Sequence, residues 1–198
     1  SGTTTISFAE LGHGDRQLSS PYGWTEYELR LPQGWALEES WVELDVSYTY
    51  ISKGSTEANT PPAFLGEIVV LVDGESQLEV PIKETQIEHM QLRAPLPVVT
   101  DTGSREHTVV VVLEAGHLCA LPHRASLTIH DSSHFALNYD QYPLTPDLAL
   151  YPNPFYQRSF LPDQVRFVLP DDPSESELTY AAAVAARLGD IAPRLVPS

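Results

Sequence analysis

Apolar and polar residues alternate along most of this chain. Between Trp41 and Ile51, Val42, Leu44, Val46, Tyr48 and Tyr50 share one side, and Trp41, Glu43, Asp45, Ser47 and Thr49 share the other. A period of two predicts a strand with one face in a core. Thr3–Glu10, with Ile6 and Phe8, reads as a first strand, and Trp24–Leu31 as another, with Tyr27, Leu29 and Leu31 inward. Glu67–Val72 and His107–Leu113 are apolar on both faces, which predicts central strands. Asp73-Gly74 is a two-residue hairpin signal, and Leu78, Val80 and Ile82 carry the return strand. Glu88–Ala94, Ala125–His130 and His134–Tyr139 complete the set, with Asp131-Ser132-Ser133 as a turn between the last two. His13–Gly23, Pro32-Gln33-Gly34, Ser52–Pro62, Pro95–Arg105 and Gly116–His123 read as turns, loops or irregular chain. Short strands with no helical period before Leu148 predict a mainly β fold over 1–148. The expected architecture is an antiparallel β-sandwich; the strand count fits a jelly roll and is also compatible with closure into a barrel.

The period changes after Leu148. Residues 149–198 open on a Pro-rich joint, followed by a β-rich run, Val165–Leu169, that Pro170 ends. Ser174 and Glu177 fit a capping box, and Gly189 sits where a helix should stop. Leu178, Ala181, Ala182, Ala185 and Leu188 recur at helical spacing, predicting a helix over Ser174–Leu188 that packs by Leu178, Ala182, Ala185 and Leu188. One strand and one helix cannot bury their apolar faces alone. The segment therefore reads as the first strand and helix of a truncated α/β domain.

Two runs, YPNPF at Tyr151–Phe155 and VRFVLPDDPSESEL from Val165, followed by AAAVAARLG, resemble the joint between the first two domains of the periplasmic cellulose synthase subunit of bacteria. The resemblance runs more weakly through ISFAELG, SWVELDVSYTY and EIVVLVDGESQLEVPI. It implies a carbohydrate-binding-module-like jelly roll followed by a flavodoxin-like domain. It also implies an exported, non-catalytic partner of the membrane-embedded cellulose synthase catalytic subunit that guides the growing glucan. Membrane anchoring would then rest on regions outside these residues. In that family the loop around Cys119 tends to hold a cysteine pair; here one cysteine is present.

Charge sharpens the choice of partner. Eleven Lys and Arg stand against 27 Asp and Glu, a formal net charge of -16, which opposes nucleic acid and anionic bilayers and suits a neutral glycan. Trp24 and Trp41 fall on the polar faces of their strands. An indole can stack on the apolar C–H face of a sugar while nearby carboxylates take its hydroxyls. Tyr22, Trp35 and Tyr142, in predicted loops, are further candidate carbohydrate contacts. The plainer alternative for each tryptophan is an outer face covered by a loop or a second domain. His117, Cys119, His123, His130 and His134 supply metal-ligand types, but a four-residue spacing converges on a helix, not across strands and turns. No metal or cofactor is assigned. No GxSxG elbow or Gly-rich phosphate loop is present. Glu43 and Asp45 lie on one strand face, whereas glycoside hydrolysis needs acids flanking the bond. The alternatives to a glucan-guiding subunit are a free-standing carbohydrate-binding module and a jelly-roll glycoside hydrolase.

Overall fold

The computed structural model describes residues 1–52, 64–100, 103–115, 123–144, 149, 156–191 and 196–197. His117 and Cys119 lie outside these residues, as does the YPNPF run.

Two antiparallel sheets form a β-sandwich. The first is organised around β5 (Trp41–Ser52), the strand with the cleanest alternation. Along one edge it pairs with β8 (Gln86–Pro95). Along the other, Val46–Ser52 pair with β10 (His123–Ile129), and Trp41–Glu43 pair with β11 (His134–Gln141). Both β10 and β11 are antiparallel to β5, so they run in the same direction. Asp131-Ser132-Ser133 is therefore a bend within one long strand path and not the hairpin turn that its composition suggests. Ser133 explains the difference: its Oγ accepts the Asp45 amide (2.9 Å), and the His130 amide donates to the Asp45 carbonyl (2.9 Å), stitching the bend to β5. Beyond lie β1 (Gly2–Ser7), paired with β11, and β2 (Arg16–Ser19), paired with β10. The short β4 (Trp35–Leu37) extends the sheet beside the end of β11.

The second sheet has the order β3 (Tyr22–Arg30), β9 (Glu106–Glu114), β6 (Gly66–Val72), β7 (Glu75–Ile82). Asp73 and Gly74, at φ 52° and 85°, make the left-handed two-residue turn between β6 and β7. Asp73 also reaches β9: Oδ1 accepts the Thr108 amide and Oδ2 meets His107 Nδ1, both at 2.8 Å.

Inward residues of the two sheets share one core. Phe8 stacks on Tyr27 of β3 (4.1 Å between centroids) and lies against Phe135 of β11 (5.4 Å). Val42, Leu44, Val46, Leu127 and Ile129 are buried from the first sheet, and Leu29, Ile68, Val70, Val109 and Val111 from the second. Tyr48 crosses the sandwich to donate its hydroxyl to the Leu65 carbonyl (2.8 Å), and burial pushes its phenol up to about 12.

The compact units are Ser1–Leu29 with Trp35–Tyr142, and Arg30–Gly34 with Pro143–Ser198. In the second unit the strand expected over Val165–Leu169 shrinks to β12 (Gln164–Val165), with Phe167, Val168 and Leu169 exposed. Beta propensity in that run has no long ladder to join. α1 (Glu175–Ile191) follows, and β13 (Val196–Pro197) returns parallel to β12. This is a short strand–helix–strand crossover. Ser174 Oγ donates to Glu177 Oε2 (2.7 Å), which also accepts the Ser174 amide (2.7 Å), while the Glu177 amide donates back to Ser174 Oγ (3.3 Å). The capping box is thus complete. Gly189 does not stop the helix; it carries no left-handed φ, and the helix runs on to Ile191. Leu188 is buried, but Leu178, Ala182 and Ala185 are exposed, which corrects the predicted packing face. Helical spacing reports the stripe, not what covers it.

Candidate functional site

Among the described residues, the start of β3 places two exposed aromatic rings side by side on one strand. A corner anchored on both sides leads into it. The Ser20 amide donates to the Ala125 carbonyl (2.8 Å), the Ala125 amide donates to Ser20 Oγ (2.9 Å), and the Ala115 amide donates to the Pro21 carbonyl (2.8 Å). At Gly23, β2 passes so close that a Cβ would meet Leu18 Cβ and the Ser19 amide nitrogen, each at 3.0 Å. A side chain there would force Leu18 or the Ser19 backbone to give by a few tenths of an ångström, so glycine suits the approach.

Tyr22 and Trp24 flank this glycine. They are 59% and 57% exposed. Residues two apart on a strand share a face, roughly 7 Å apart between Cα atoms. Glu26 and Glu28, both exposed, continue the row, while Tyr27 and Leu29 turn into the core. Among the described residues β3 is the edge strand of its sheet, so the row runs along the sheet margin. Two flat rings followed by two carboxylates can stack a sugar and accept hydrogen bonds from its hydroxyls.

The other aromatic candidates differ. Trp41 does point to the outer face of the first sheet, but it is half-buried and Arg93 of β8 sits 3.3 Å above its ring centroid. One indole face is therefore already occupied by a cation–π contact. Trp35 is not in a loop. It forms β4, is 6% exposed and stacks on Tyr139 at 3.4 Å and 11°. A ring packed in this way does not present a platform. The sequence signal was there, since Trp-Ala-Leu is an apolar triplet, but three residues are too few for alternation to be read. Tyr142 is exposed and follows β11, so topology assigns it to the other sheet from Tyr22 and Trp24.

Sequence reading missed a polar cluster on the outer face of the first sheet. Its cause is a β-bulge: Val46 pairs Met90 and Tyr48 pairs Ile87, so Glu88 and His89 oppose Ser47 alone. His89 Nδ1 lies 3.0 Å from Asp45 Oδ1, and Ser132 Oγ donates to Asp45 Oδ2 (2.8 Å). His130 lies 3.0 Å from Ser47 Oγ by Nε2 and 3.3 Å from Asp15 Oδ2 by Nδ1. Partial burial raises the Asp45 pKa, but the hydrogen bonds from His89 and Ser132 and the nearby imidazoles outweigh it and leave the carboxyl below its ordinary value. Asp15 is lowered chiefly by the Asp131 amide, which donates to Oδ1 (2.9 Å). The series Ser47–His130–Asp15 has the order of a nucleophile, a base and its orienter. Of the three only Ser47 lies on β5, opposite the β8 bulge and paired to Thr128 of β10. We read the cluster as a tie joining β8, β5 and the β10–β11 bend. Among the described residues no group of three or more His, Cys, Asp or Glu is arranged to hold a metal ion.

No family model matches this chain. No curated protein matches it either. Among solved structures, similarity is found to a salicylyl-acyltransferase, SsfX3, from a tetracycline biosynthetic pathway. The identity is 14% and the TM-score 0.28, over 66% of this chain and 42% of that one. The VP2 subviral particle of infectious bursal disease virus matches at 11% identity and a TM-score of 0.25, over 96% of this chain and 49% of that one. The chain spans less than half the length of either, and superposition this loose carries no argument about fold or function.

Proposed function

We propose that this chain is a non-catalytic, glycan-contacting segment: a jelly-roll module with the start of a flavodoxin-like domain, serving an exported cellulose synthase complex. In that role it guides a neutral β-glucan leaving the membrane-embedded catalytic subunit. The observation that carries the glycan part is the Tyr22–Trp24 pair, two exposed rings on one face of an edge strand, followed by Glu26 and Glu28. The strongly acidic balance supports a neutral polymer over a polyanion. The link to cellulose synthesis rests on the resemblance of the YPNPF and VRFVLPDDPSESEL runs.

Isothermal titration with cello-oligosaccharides tests the reading. Each lost ring should weaken binding by roughly 1–2 kcal/mol, so Tyr22→Ala with Trp24→Ala should abolish a weak interaction. Trp41→Ala should leave it within about twofold. Affinity unchanged in the Tyr22/Trp24 double variant would refute the site. Release of reducing ends from β-glucan, abolished by Glu43→Gln, would refute the non-catalytic part.

A further inference from the structure

The second compact unit holds a cavity that the glycan face does not use. It is a half-open depression of about 450 Å3, within the range of small-ligand pockets of roughly 300–1,000 Å3. Arg30, Tyr156, Arg158, Ser159, Phe160 and Asp163 contribute to its lining.

Its wall is tied together by hydrogen bonds. The Phe160 amide donates to the Arg30 carbonyl (3.0 Å), and Gln157 Oε1 accepts the Gln33 amide (2.5 Å). The Gln157 amide donates to Asp163 Oδ2 (2.8 Å), so the one acid in the lining has an oxygen engaged by the wall itself. These bonds hold the 156–163 turn on the Arg30–Gly34 segment.

Two features point to a ligand. The first is charge. The whole chain has 11 Lys and Arg against 27 acids, yet two arginines from distant parts of the sequence line one small cavity. The second is backbone conformation. Arg158 is held at φ 55°, in the left-handed region that a residue with a Cβ rarely adopts, and such positions gather at functional sites. Its guanidinium lies 5.4 Å from the centroid of the Tyr156 ring, close enough for a cation–π contact that orients it.

We propose that this cavity binds a monosaccharide-sized ring bearing one oxyanion, a carboxylate or a phosphate ester. The guanidinium fork of Arg158 takes the oxyanion, because its planar donors match either group in a bidentate way, and Arg30 adds positive charge to the same lining. Phe160 supplies an apolar wall for the sugar, Tyr156 holds the Arg158 guanidinium, and the Ser159 hydroxyl is a hydrogen-bond partner for the sugar hydroxyls. The site is independent of the Tyr22–Trp24 face.

The test is backbone-amide NMR titration of the full chain with glucuronate, glucose 6-phosphate, glucose and inorganic phosphate in parallel. Glucuronate or glucose 6-phosphate should shift amides of residues 156–163 saturably. Whichever of the two binds more tightly identifies the oxyanion. Glucose should not shift these amides, and inorganic phosphate should bind more weakly than the ring-bearing anion. Arg158→Gly should weaken binding by roughly tenfold or more while leaving the fold intact, since glycine adopts this φ freely. Arg158→Lys should fall between, keeping the charge without the fork. An equal response to glucose, no saturable shift with either anion, or unchanged binding in Arg158→Gly would overturn the proposal, and phosphate alone binding as tightly as the sugar anions would remove the ring from it.

Discussion

Single residues fix the corners of this fold, and two of them make sharp tests. Gly23 must accept the close pass of β2. A methyl group there meets Leu18 and Ser19 at 3.0 Å, so Gly23→Ala should lower unfolding stability by about 1–3 kcal/mol in urea titration and disturb the Tyr22–Trp24 pair beside it. Wild-type stability in that variant would mean the contact relaxes freely. Asp45 is the second. Its carboxyl lies below its ordinary value in the fold because His89 and Ser132 bond to its charged form. A depressed folded pKa gives stability that is present above the unfolded value and lost as pH falls through the folded one. Asp45→Asn should therefore cost about 1 kcal/mol at pH 7, and the difference should shrink as pH falls through the lowered folded pKa of the carboxyl. A gap that does not shrink at any pH on the acid side of the ordinary carboxylate range would show that the charged hydrogen bonds contribute nothing. Neither Gly23's crowding nor Asp45's partners can be read from the sequence, since Leu18 is reached by a strand that alternation does not reveal and His89 by a bulge.

At the scale of elements, the strands with long alternation or continuous apolar runs were legible. β5, β6 and β9 lie where their patterns put them, and Asp73-Gly74 makes its hairpin. What failed was short or bent. β2 is a polar four-residue edge and β4 a three-residue triplet, too brief for a period to show. Asp131-Ser132-Ser133 has turn chemistry, yet cross-strand bonds to Asp45 keep the chain moving forward. The helix was legible at its start, where a capping box states its own geometry, and not at its end, where Gly189 continues the helix. Ser174→Ala removes the side chain that bonds Glu177, and it should speed amide exchange in the first turn of α1 several-fold while leaving β5 amides unchanged. Exchange unaltered at 175–179 would show that the cap is not holding the helix end.

On the scale of the whole molecule, the sandwich of two antiparallel sheets carries an exposed aromatic pair, Tyr22 and Trp24, on its edge strand β3 among the described residues. The sequence placed five aromatics in a candidate site without knowing which faces stay open. Trp24 and Tyr22 remain exposed together, Trp41 is partly covered by Arg93, Trp35 is packed on Tyr139, and Tyr142 leaves from the other sheet. That sorting depends on sheet order and on neighbours far along the chain, which local periodicity does not report. The chain has three tryptophans, so three indole N–H signals report separately on the three positions. The most direct test is to follow those signals by NMR while adding cellohexaose. The account predicts that the Trp24 signal shifts saturably, that Trp35 stays fixed, and that Trp41 moves little. A shift confined to Trp41, or no saturable shift at Trp24, would contradict it.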